Sequence, residues 1–336
     1  MTRRTWWLPT LLLLLGATLP LGAAAGEPVR IRVGWVVTPA QFTPILFEKK
    51  EIGRNLGKTY VFEAVHFRGS TPQISALAAG ELEIAALAYS SFALTIQNAK
   101  MDIKLIADMF QDGVPGHYTT QFVVREDSPI RTVADLRGKT LATNAIGGAV
   151  DVAARAMLRK HGLEDKRDVT IVEARFPAME AMLRERKVDA AGLVQPFYYE
   201  ATSRGGLRTL FTQQEAVGIS DMIFWSARTD FIARHRAALT DFLEDTIRAL
   251  RWYMEPKNRE EAIGIIARFI KKKPEDLRPW VLTGQDVYRD PNAMPNLEAL
   301  QRNVDLLREL GILKDRLEVR QHAELSMVEA ARDRVK

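Results

Sequence analysis

The chain of 336 residues contains no cysteine. That excludes a disulfide framework, a thiolate metal site and a cysteine nucleophile. It also excludes the lipid-bearing cysteine of a bacterial lipoprotein. Histidine is scarce: His66, His117, His161, His235 and His322 are the full set, and none falls in HxH or HExxH spacing. No metal centre is therefore expected. Neither a Walker A loop nor a GxSxG elbow is present, and Gly147-Gly148 is too little for a dinucleotide fingerprint. No cofactor is expected. Basic runs are equally rare. Lysine and arginine number 47 against 42 acids, a net charge of +5. The one run, Lys271-Lys272-Lys273, reads as a solvated turn between helices rather than a polyanion site. Nucleic acid is not an expected partner.

Long apolar stretches are also missing, with one exception. Residues 8–21 are almost wholly apolar, bracketed by Pro9 and Pro20, preceded by Arg3 and Arg4 and followed by Ala23-Ala24-Ala25. This is the layout of a secretory signal peptide, residues 1–25, cleaved after Ala25. A bilayer span takes about 20 apolar residues, more than this run supplies. Thr2-Arg3-Arg4 followed by Trp6-Trp7-Leu8 leaves general and twin-arginine export both open. An exported chain with no lipid anchor is expected in a Gram-negative periplasm. A mature length of about 310 residues suits two lobes better than one core.

What remains alternates strand and helix signals. Residues 31–35, 60–67, 82–87 and 103–107 read as strands, and 74–79 and 91–98 have helical spacing, the former closed by Gly80. A second unit begins near Val133. Residues 139–143, 169–174 and 188–194 read as strands, 152–161 and 179–186 as helices. Such alternation predicts parallel sheets covered by helices. The units echo each other: Phe62-Glu63-Ala64-Val65-His66-Phe67 matches Val172-Glu173-Ala174-Arg175-Phe176, with a helix and a short apolar strand after each. Extended segments at 118–125 and 221–226 bracket the second unit and are the expected crossings between lobes. The lobes are then 26–118 with 226–336, and 119–225. Amphipathic runs at 238–253, 259–269 and 297–310 are expected to buttress the first lobe.

Several blocks in this order look familiar: Ile31-Arg32-Val33-Gly34-Trp35, Leu77-Ala78-Ala79-Gly80-Glu81-Leu82-Glu83, Val133-Ala134-Asp135-Leu136-Arg137-Gly138-Lys139, and Val188-Asp189-Ala190-Ala191 with Gln195-Pro196. Over nearly all of the mature chain the sequence resembles the nitrate/sulfonate/taurine group of ABC-transporter solute-binding proteins, which includes pyrimidine-precursor binders. It departs at Glu83, where an aspartate is usual, and at Arg186-Lys187, where the turn usually holds a glycine. The resemblance implies an α/β type II periplasmic-binding-protein fold, two Rossmann-like lobes joined by two crossing strands. It implies a monomer that is not an enzyme, with a permease and its ATPase at the inner membrane as partners. Two alternatives accompany it: a binder of a thiamine-pyrimidine precursor or a pyrimidine-synthase-like enzyme, and a sensor module of the same fold.

The position of the site follows from topology alone. In open α/β sheets ligands lie beyond the carboxyl ends of strands, against helix starts. That rule selects Trp35 and Thr38 in one loop, Gly69, Ser70 and Thr71 in the next, and Tyr89, Ser90 and Ser91 in a third. In the other lobe it selects Asn144, Gly147, Gly148, Gln195 and Tyr198; Tyr118 and Trp225 stand at the crossings. Ser70 and Gln73 have capping-box spacing. Free N–H groups at helix starts favour an anion, hydroxyls add donors, and aromatic rings suit an organic body. Arg68, Arg175 and Gln195 are further candidates for clamping a carboxylate or sulfonate. Asp151, at a helix start, argues against a bare inorganic anion and for an organic anion or a zwitterion.

Overall fold

The computed structural model describes residues 27–335; the expected leader, 1–25, lies outside the described residues. Ten strands form two sheets. They are β1 (Val29–Trp35), β2 (Tyr60–His66), β3 (Ile84–Ala88), β4 (Ile103–Asp112), β5 (Gln121–Arg125), β6 (Thr140–Thr143), β7 (Thr170–Glu173), β8 (Ala190–Leu193), β9 (Leu207–Thr212) and β10 (Ser220–Arg228). The helices are α1 (Ser70–Ala78), α2 (Tyr89–Gln97), α3 (Ala149–Lys160), α4 (Phe176–Arg184), α5 (Phe197–Ser203), α6 (Gln213–Val217), α7 (Thr229–Met254), α8 (Arg259–Ile270), α9 (Pro274–Leu277), α10 (Leu297–Glu309) and α11 (Ser326–Arg334).

The first sheet has the order β2-β1-β3-β10-β4 and the second β7-β6-β8-β5-β9. In each, three parallel strands are followed by one strand running against its neighbours. The echo between residues 62–67 and 172–176 is thus an echo between β2 and β7, which occupy the same edge of their sheets. The fold is the two-lobed type II periplasmic-binding fold. The inner strand β3, Ile-Ala-Ala-Leu-Ala, is buried along its whole length, as a parallel strand covered on both faces must be. Behind the first sheet α7 serves as the buttress. Its Phe242 ring meets Trp225 at 5.2 Å and Tyr60 at 5.5 Å. One turn on, buried Asp245 accepts from the backbone N–H of Asn55 at 2.8 Å and the Tyr60 hydroxyl at 2.9 Å.

The chain passes between the sheets twice, from β4 to β5 and from α6 to β10. Both passages lie earlier than expected: residues 121–125 of the first expected crossing form β5, which pairs with β8 and β9 in the second sheet. Residues 221–226 belong wholly to β10, which pairs with β3 and β4 in the first sheet. An apolar, extended stretch reads alike as sheet and as crossing, so sequence pattern alone does not separate the two. The passages touch. A Cβ on Gly113 would lie 2.8 Å from the Gly218 carbonyl oxygen, and Gly113 holds φ at +79°. Only glycine permits that backbone at that approach.

Candidate functional site

Between the lobes lies an inner chamber of about 750 Å³ that adjoins a wider outer chamber of about 1430 Å³, both volumes including space open to solvent. The inner chamber is assembled from helix starts. Gly69, Ser70 and Thr71 bring the start of α1, Ala88 and Ser91 that of α2, and Gly148, Ala149 and Val150 that of α3. None of these three helices has a side-chain cap. Their first N–H groups are therefore not spent on a neighbouring side chain. The expected capping box at Ser70 does not form. Gln73 turns inward instead, donating to the carbonyls of Gly69 (3.3 Å) and Ala86 (3.1 Å) and accepting from the Ala86 N–H at 2.8 Å. Ser70 Oγ accepts from the Ala88 N–H at 3.2 Å, which ties the α1 start to the α2 start. The remaining wall is mostly apolar: Val36, Val37, Phe110, Phe176, Val194, Met222, Ile223 and Val287.

Of the residues expected from sequence, Gly69, Ser70, Thr71, Ser91, Tyr118, Asn144, Gly148 and Gln195 line the inner chamber, and Thr38 lines the outer one. Six do not line either. Trp35 packs on His66, with ring centroids 4.5 Å apart, and on Phe269 at 5.7 Å. Tyr89 is fully buried, its hydroxyl 3.5 Å from the Ala149 carbonyl across the cleft, and burial pushes its phenol up. Ser90 is buried beside it. Gly147 donates to Asp151 at 2.8 Å. Tyr198 stands behind Tyr118, centroids 5.6 Å apart. Trp225 faces α7. The reason for Trp225 is direction. Strand β10 runs antiparallel, so its beginning, Met222 and Ile223, reaches the cleft and its later residues run away from it. Asp151 does not line the chamber either; one carboxylate oxygen accepts from the Gly147 N–H and from Arg155 Nε, both at 2.8 Å.

Phe110 and Asp112 escaped the sequence reading because β4 runs to Asp112 and not to residue 107. The apolar Met109-Phe110 pair was the available signal. Val287 had none, since it arrives from far along the chain. Asp112 is the acid of the inner chamber. One oxygen accepts from the Thr119 hydroxyl at 2.5 Å; the other accepts from the Thr120 N–H at 2.9 Å and its hydroxyl at 2.7 Å. Burial raises its pKa, against the pull of those bonds. Thr120 accepts in turn from the Gln213 N–H at 2.8 Å, and Thr119 Oγ1 from the Gln214 N–H at 3.1 Å. One carboxylate at the chamber floor therefore holds the first passage and, through Thr119 and Thr120, the start of the helix before the second. The outer chamber is lined by Arg68, Arg175 and Glu173, with His66. Among the described residues no cluster of three or more histidine, aspartate or glutamate side chains is placed to hold a metal ion.

A sequence model of the NMT1-like family matches residues 24–267. Solved structures share the fold. The periplasmic aliphatic sulphonate-binding protein SsuA of Escherichia coli superposes with a TM-score of 0.69 at 20% identity, over 89% of this chain and 92% of its own. The periplasmic nitrate-binding protein NrtA of Synechocystis PCC 6803 does so with 0.72 at 14%, over 92% and 90%. The desulfurization enzyme DszB gives 0.63 at 15%, over 92% and 100%.

Proposed function

The chain belongs to the NMT1-like family, and from that premise we propose that it is the solute-binding component of an ABC importer, closing on a small organic anion. The observation that carries this reading is the inner chamber. Three uncapped helix starts from two lobes meet there around an apolar space. Helix starts bind the acidic group, a sulfonate or carboxylate, and the apolar wall takes the organic body. A bare inorganic ion leaves that wall unused. We place the protein in the periplasm as a monomer, delivering its ligand to a permease and ATPase. The first lobe comprises residues up to about Asp112 and again from Ser220; the second lies between.

Binding is preferred over catalysis because of what lines the chamber. Asp112 and Tyr118 are its ionisable side chains, and both are committed, Tyr118 donating to the Leu193 carbonyl at 2.6 Å. Among the described residues no histidine, which a pyrimidine-synthase-like enzyme would use, lines the inner chamber. His66 lines the outer chamber and His117 sits edge-on to Tyr288 at 5.1 Å. Thermal-shift measurements with alkanesulfonates, aliphatic carboxylates, nitrate and aminopyrimidines test the reading. Ligand at 100 times its Kd adds about 2.7 kcal/mol of stability. Sulfonates or carboxylates are expected to raise Tm; a response to aminopyrimidines alone overturns the proposal.

A further inference from the structure

The internal repeat places like positions opposite each other. Strand β2 ends at His66 and α1 begins at Ser70; β7 ends at Glu173 and α4 begins at Phe176. Arg68 and Arg175 each stand two residues past the end of the corresponding strand, one in each lobe, and both line the outer chamber. Among the described residues neither guanidinium has an ion-pair or hydrogen-bond partner. Arg155, Arg184 and Arg204, by contrast, are held by Asp151 and Glu180. The carboxylate nearest in sequence, Glu173, accepts from the Ile146 N–H at 3.1 Å. The two exposed arginines, one from each lobe, thus line the same outer chamber with His66 and Glu173, while the inner chamber has no cationic side chain.

We propose that Arg68 and Arg175 form a second anion subsite, so that the ligand is a dianion: an acidic group at each end of an apolar body, one held by the helix starts and the other by the arginine pair. This rests on reading the inner chamber as an anion site. Closing the lobes sets two guanidinium charges across a mouth whose one carboxylate among the lining residues is Glu173. A carboxylate or sulfonate there neutralises both, and the planar fork of arginine fits its oxygens. The chamber's length then selects the spacing between the two acidic groups. A ligand with one head, held at the helix starts, meets Arg68 and Arg175 only through their screened field and not through a hydrogen bond.

Calorimetric titration of the full mature chain with butane-, hexane- and octane-sulfonate, and with the matching α,ω-disulfonates, tests this at fixed ionic strength. At one chain length the disulfonate is expected to bind about tenfold more tightly than its partner. Arg68→Gln with Arg175→Gln should abolish that preference, weakening the disulfonate about tenfold more than the monosulfonate. Arg30→Gln, which removes a charge at the far end of β1, should leave the preference intact. Equal affinity of the two series for the wild-type chain overturns the subsite. So does a disulfonate preference that is the same at every length, which a diffuse field produces. An equal loss for both series in the double variant also overturns it, because the single head then sits at the mouth. If monosulfonates bind and disulfonates gain nothing, only this inference fails. If neither series binds, the sulfonate reading of the inner chamber fails with it.

Discussion

Asp112 holds Thr119 and Thr120 of the first passage through three hydrogen bonds, and these two residues in turn accept from Gln213 and Gln214 before the second. Removing its carboxylate leaves the Thr120 N–H buried with no partner, and that costs more than the net worth of one bond. Asp112→Ala is therefore expected to lower unfolding stability by about 3 kcal/mol, and Asp112→Asn, which keeps one acceptor, by about 1 kcal/mol. Urea denaturation measures both; an unchanged midpoint in the alanine variant removes Asp112 from the hinge. A second buried acid pair lies behind the chamber. Burial pushes Asp108 up to about 7, with the charge of Asp290 adding to it, and burial together with the charge of Asp108 holds Asp221 well above the usual carboxylate range. Asp221 accepts from the Asn296 N–H at 3.1 Å, and Gln111 and Tyr288 lie close by. The folded state thus holds protons that the unfolded chain releases near pH 4. The stability these groups contribute is full below that pH and is lost as pH rises through about 7. The urea midpoint should fall between pH 5 and pH 8, and Asp108→Asn should flatten the decline. Asp112 and Asp245 are shifted in the same direction, so part of the slope survives in that variant; a slope identical to wild type counts against the pair.

At the scale of elements, the placement of α1 decides where the first helix start points. Its Gln73 side chain lies over Gly34 of β1 and bonds the backbone of Ala86 in β3. A Cβ on Gly34 would come within 2.0 Å of Gln73 Oε1. Gly34→Ala must displace an amide that satisfies two buried backbone groups, and is expected to cost about 2 kcal/mol and to weaken sulfonate binding as α1 shifts. Equal affinity and stability in that variant would show that the helix start is held some other way. The strand–helix alternation was legible in the sequence because each βα unit announces itself locally: β2 and β7 repeat one pattern, and Gly80 marks the end of α1. The loops after parallel strands were legible for the same reason, which is why Ser70, Thr71, Asn144 and Gly148 fall at the chamber. Direction was not. Nothing local distinguishes an antiparallel β10 from a parallel one, so Trp225 drew attention that belonged to Met222 and Ile223. Trp35 shows a further limit. It ends a strand on the cleft side, but its side chain packs against Phe269 from a helix more than two hundred residues away.

For the whole molecule, the lobes also meet away from the helix starts, at two contacts outside the chambers and one made by the chamber-lining Gln195. The C-terminal segment reaches the second lobe, where Lys272 pairs with Glu200 at 3.1 Å and Gln195 donates to the Gln285 carbonyl at 3.0 Å. On the other side of the hinge Arg159 donates to the Glu309 carbonyl at 2.5 Å. Lys272 and Arg159 line neither chamber. If they favour the closed form, losing them reduces the fraction of molecules competent to hold ligand, and the apparent Kd rises by that fraction alone. The factor is then the same for every ligand, whatever its chemistry. Lys272→Ala combined with Arg159→Ala is expected to weaken all bound anions equally, by about three- to tenfold, since each contact is partly exposed and worth about 1 kcal/mol or less. Small-angle scattering should show a larger radius of gyration for the ligand-free variant than for the ligand-free wild type, and the same compact radius for both at saturation. A penalty that differs between ligands would mean the two residues act on the chamber itself. An unchanged radius with unchanged affinity would mean that the hinge network around Asp112, not these outer contacts, sets the balance between open and closed.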